Sequence, residues 1–135
     1  MTPRNRVAVS AFVLLAVLCV VVLLAFAGHA CTGQAGSQDC PEAAFNRATV
    51  VGLASLGTAL LVTPFAFLGE FAVRRRIVYR GAWGRAGRRG FLAGIALAVL
   101  AGLRLGGALS VPAALFVMSL LAAIEWTAVR RFDGR

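Results

Sequence analysis

From Val7 to Gly28 the chain runs for 22 residues without a charged side chain. At 1.5 Å per residue, a helix of that length crosses the roughly 30 Å hydrocarbon core of a bilayer. Three more apolar stretches follow, separated by short polar ones. Inside hydrocarbon every backbone N–H and C=O must find its partner within the protein, which a helix achieves within its own segment and irregular chain does not. The expected fold class is therefore an all-α integral membrane protein. Four transmembrane helices, arranged as two hairpins, are expected at about 7–28, 41–73, 90–106 and 111–129, in a single domain covering residues 1–135. Residues 29–40 form an external loop and 74–89 a cytoplasmic one.

Charge sets the orientation. Between Val73 and Gly90 stand Arg74, Arg75, Arg76, Arg80, Arg85, Arg88 and Arg89, with no acidic residue among them. Arg4 and Arg6 precede the first apolar run, and Arg130, Arg131 and Arg135 follow the last. Short loops rich in Lys or Arg remain on the cytoplasmic side. All three arginine-bearing segments then lie inside with both termini, which requires an even number of crossings. Tyr79 and Trp83 add amphipathic rings at the same interface, where such rings are enriched. The segment is expected to anchor topology and to rest on anionic headgroups, each arginine contributing on the order of 1 kcal/mol.

Composition agrees with this picture and removes alternatives. Hydrophobic residues make up 60% and charged ones 14%, with a mean hydropathy of +0.85, which leaves too little polar surface for a soluble domain of this size. A net charge of +9 would suggest nucleic acid in a soluble chain. Here the charges flank apolar runs, so no nucleic-acid partner is expected. All 14 basic residues are arginine. With abundant Ala, Gly and Val, that points to a GC-rich genome rather than to guanidinium chemistry.

A signal peptide competes for the first segment, because Gly28-His29-Ala30 offers small residues at a cleavage site. Signal h-regions are about 7–15 residues, shorter than this run. A lipoprotein site at Cys31 would want a large aliphatic residue where Gly28 stands. In the external loop, Cys31 and Cys40 enclose eight residues on the oxidising side, and a disulfide between them is expected to fasten the outer ends of helices one and two. Zinc binding by Cys31, Cys40 and His29 is the weaker alternative. Thr63-Pro64 predicts a kink midway along the second helix. Gly106-Gly107 is a natural stop for the third, and Ser110 with Pro112 opens the fourth.

Charges inside a bilayer are candidates for function. Glu70 sits near the inner end of helix two with Arg74 one turn on, and Glu125 near the inner end of helix four beside Trp126 and a turn before Arg130. Interfacial ion pairing is the plain expectation, and a proton or cation site built from the two carboxylates the sharper one. Arg104, in the last turn of helix three, is expected to snorkel to the external headgroups. Helix three also carries a small residue at every fourth position: Gly90, Gly94, Ala98, Gly102 and Gly106. Such a row lets membrane helices approach closely and is expected to form a seam against another helix.

No catalytic constellation, metal-ligand spacing or phosphate-cradling loop is present in the sequence, so neither enzymatic activity nor a cofactor is expected. The expected role is a non-catalytic accessory, assembly or structural component of the plasma (inner) membrane. A homo-oligomeric small transporter or channel is the alternative, and a membrane enzyme or thiol oxidoreductase a distant third. Expected partners are membrane lipids, anionic on the cytoplasmic side, and another protein chain or further copies of this one.

Overall fold

In the computed structural model the described residues are 3–29, 42–73 and 82–133. They form four helices: α1 (Pro3–His29), α2 (Ala43–Val73), α3 (Ala82–Leu105) and α4 (Val111–Asp133). Each is long and apolar enough to cross a membrane.

The helix ends follow local chemistry. Pro3 opens α1, where its missing N–H costs nothing. At the start of α2 the Asn46 amide donates to the Glu42 carbonyl at 2.9 Å. The end of α3 is a Schellman motif: Ala108 N–H donates to Leu103 O at 2.9 Å and Gly107 N–H to Arg104 O at 3.2 Å. Gly107 takes φ +69°, which glycine adopts without the penalty of a Cβ. Three residues later Ser110 caps α4, its hydroxyl accepting from the Ala113 amide at 3.3 Å. The turn between α3 and α4 is thus closed by hydrogen bonds and needs no further loop.

Three boundaries differ from expectation, the first being α1, which starts at Pro3 instead of near residue 7. The third helix begins at Ala82 instead of near Gly90, so residues 82–89 are its first two turns and not loop. Arginine is a good helix former, and a helix can extend past the hydrocarbon into water. Helix α4 likewise runs past residue 129 to Asp133. Helix α2 continues through Pro64 without interruption.

The packing is antiparallel between neighbours. Gly90 of α3 faces Thr63 and Ala59 of α2, and Gly94, one turn on, faces Ala59 and Ser55. Cys19 of α1 lies against Gly57 of α2 and donates to the Leu53 carbonyl at 3.3 Å. Helices α1 and α3 flank α2, and the α2–α3 pair is the closest, which joins the two expected hairpins more tightly than either is joined within itself. Among the described residues α4 approaches only α3, and lightly. The buried side chains are mostly small: Ala16, Cys19, Thr63, Pro64 and Ala86, with Phe67 the large one. Small residues bring backbones together, which drives association where lipid removes the hydrophobic term.

The hydroxyls of α2 do not disturb this core. Thr49, Ser55, Thr58 and Thr63 each donate to the carbonyl four residues earlier, at 2.9, 2.7, 2.8 and 2.7 Å. A donor that would be costly in hydrocarbon is satisfied inside its own helix.

Candidate functional site

The charged and aromatic side chains that the described residues bring together lie at one end of the bundle, where α1 begins, α2 ends and α3 begins. Trp83 is the centre of an aromatic stack there. Its ring is 4.2 Å from that of Phe67 on one side and 5.6 Å from that of Phe12 on the other, with interplanar angles of 18° and 20°. Its indole N–H donates to Asn5 Oδ1 at 3.4 Å. The stack therefore joins α1, α2 and α3, and offset aromatic pairs contribute about 0.5–1.5 kcal/mol each beyond the area they bury.

Next to the stack, three arginines of α3 fork in two directions. Arg85 Nε lies 2.9 Å from Glu70 Oε1 of α2. Arg88 of α3 donates to both oxygens of Glu125 on α4, through Nε to Oε2 at 3.1 Å and Nη2 to Oε1 at 3.4 Å, and Arg89 Nε shares Oε1 at 3.1 Å. Residues 85, 88 and 89 are spaced i, i+3, i+4, so they occupy one broad side of the helix. Their long side chains then part toward the two carboxylates. Glu70 is the more deeply placed acid, its side chain 11% exposed against 24% for Glu125. Glu70 Oε2 is buried and has no hydrogen-bond partner among the described residues.

The residues singled out in the sequence fall into distinct places. Trp83, Arg85, Arg88 and Arg89 belong to α3 and make contacts within the protein, where a loop on the membrane surface was expected. Glu70 and Glu125 are both ion-paired across helices, to Arg85 and to Arg88 and Arg89. Arg130 instead sits over the Trp126 ring, 4.8 Å from its centroid. Arg104 is exposed at the opposite end, in the last turn of α3. Tyr79, Arg74, Arg75, Arg76 and Arg80 lie outside the described residues, as do Cys31 and Cys40.

The row of small residues on α3 divides. A Cβ at Gly90 would overlap Thr63 Oγ1 and stand 2.6 Å from the Ala59 carbonyl oxygen, and one at Gly94 would stand 2.8 Å from the Ser55 oxygen. At Gly102 nothing lies within 4 Å, and Gly106 meets only its own helix. Ala98, between the two halves, is half-buried. Four residues advance a helix by about 400°, so each step of the row turns it by roughly 40°. By Gly102 it points about 120° away from Gly90, off the α2 seam.

The sequence alone does not single out Asn5, Phe12 and Phe67. Their signal is faint: an amide between two arginines, and two phenylalanines among many apolar neighbours. Only the pairing of α1 with the end of α2 gives them meaning. Among the described residues no group of three His, Cys, Asp or Glu side chains comes together as a metal site. No known protein family, curated protein or solved structure matches this chain.

Proposed function

We propose that this chain is a multi-pass component of the plasma (inner) membrane that works through helix–helix contact and performs no chemistry of its own. Both termini and the 74–81 segment face the cytoplasm, where the arginines are retained. In that orientation Cys31 and Cys40 stand on the oxidising side, and a disulfide between them belongs to the same proposal.

The observation that carries it is the state of α4. Its partly buried stripe is narrow, made of Ala113, Ala114, Val117, Leu121, Glu125, Ala128 and Val129, largely at three- and four-residue spacing. Leu115, Phe116, Met118 and Trp126 face outward at 65, 68, 53 and 63% exposure. The other three helices bury their close-packed surface on one another. The fourth thus offers a continuous apolar face to another transmembrane helix. The charged cluster supports a structural role as well, since its carboxylates are engaged by arginines at fixed positions.

A photo-crosslinking residue at Phe116, in the chain expressed in its own membrane, tests this. The expected result is a discrete adduct with a second chain, absent when the residue is placed at Leu24 on the outer face of α1. Lipid adducts alone at both positions would overturn the proposal. A homo-oligomer enclosing a water-filled axis would replace it with the transporter alternative.

A further inference from the structure

Beside the aromatic stack, on the outer side of α1, a groove of about 470 Å³ runs between α1 and α2, lined by Arg6, Val9, Ser10, Val13, Leu14 and Leu68. Its volume is within the roughly 300–1,000 Å³ of small-ligand clefts. Its chemistry is graded along its length. Arg6 stands at the end near the start of α1, and below it the walls are aliphatic. Ser10 adds little polarity, because its hydroxyl donates to the Val7 carbonyl at 3.0 Å.

Among the described residues no carboxylate pairs with Arg6. Helix α1 has no acidic residue. Glu70 and Glu125, at this end of the bundle, are held by arginines of α3. A cation over an apolar channel matches a molecule with an anionic head and a hydrocarbon tail. The dimensions match too: Arg6 to Leu14 is about 12 Å along the helix, inside the roughly 15 Å depth of one leaflet.

We propose that this groove holds one anionic phospholipid, its phosphate on Arg6 and an acyl chain against Val9, Val13, Leu14 and Leu68. The site rests on the chain spanning a membrane. It is more specific than the general attraction of a basic surface for anionic lipid, because the cation and the channel are in register.

Native mass spectrometry of the full chain in mild detergent, with equimolar phosphatidylglycerol and phosphatidylcholine of identical acyl chains, tests it. The expected result is one retained lipid, phosphatidylglycerol favoured about fivefold. Arg6→Gln should bring the two lipids to parity and Arg6→Lys should keep the preference. Arg4→Gln, which removes the same charge from an exposed neighbour outside the groove, should leave the preference intact. Val13→Trp should fill the channel and lower retention of both lipids. Equal effects of Arg4→Gln and Arg6→Gln, or full retention in Val13→Trp, would overturn the site and leave only a diffuse field. Resistance of the wild type to alkaline carbonate extraction reports membrane insertion separately. Extraction into the supernatant would remove the spanning topology itself, and with it this site.

Discussion

The α2–α3 seam allows one substitution to be predicted with a sign that composition alone would get wrong. Replacing a mid-helix glycine by alanine normally favours the helix by up to about 1 kcal/mol. At Gly90 the added methyl would overlap Thr63 Oγ1 and lie 2.6 Å from the Ala59 oxygen, against the roughly 3.5 Å of an ordinary heavy-atom contact. Thr63 cannot simply turn away. It is β-branched, it is buried, and its hydroxyl donates to that same Ala59 carbonyl at 2.7 Å. The two helices must therefore part by about 1 Å, which forfeits dispersion along the seam. Overpacking of this kind costs about 1–3 kcal/mol, and with a backbone atom as the obstacle the upper value applies. Subtracting the helix gain leaves Gly90→Ala about 2 kcal/mol less stable, a roughly 30-fold shift in the unfolding equilibrium. Gly102→Ala meets nothing within 4 Å, so only the helix gain remains and the change should be neutral or stabilising. Unfolding by SDS titration in mixed micelles, followed by Trp83 emission, measures both. If Gly90→Ala matches the wild type, or if the two variants shift together, the close α2–α3 approach is wrong.

Two further outcomes follow from the charged and aromatic end. Arg85→Gln should cost about 3 kcal/mol in the same titration, because it leaves a mostly buried carboxylate without its cation. The double variant Glu70→Gln with Arg85→Gln should recover a large part of that loss; no recovery would mean that Arg85 acts through something other than the ion pair. In brominated detergent, Trp126→Phe should leave a chain whose emission is nearly unquenched, since Trp83 is shielded by Phe12 and Phe67. Trp83→Phe should leave one that is strongly quenched, and the reverse order would contradict the stacked arrangement.

Length and local chemistry made much of the fold legible. A run of 22 uncharged residues announces a spanning helix at once, and the Gly106-Gly107 stop followed by the Ser110 cap marks the α3–α4 turn to within a residue. The start of α3 was hidden by its arginines. A dense basic stretch signals a boundary for the bilayer, yet it does not signal a boundary for the helix. The partners of Glu70 and Glu125 were hidden for a related reason. A sequence displays neighbours one turn away, whereas the arginines that reach these acids come from another helix and depend on its register. The glycine row shows the same limit: its spacing was visible, but which half meets α2 depends on where the seam begins.

Helix α4 is fastened at two places, by the hydrogen-bonded turn and Ser110 cap at one end and by Arg88 and Arg89 on Glu125 toward the other. The two fastenings are about 22 Å apart along its axis. A rod pinned at both ends can bow or roll a little, but it cannot swing away like a door on one hinge. The outward side chains between the pins consequently keep their pitch and their depth relative to α3. A neighbouring helix would meet a ruler already ruled, and would bear little of the entropy that ordering a loose helix demands.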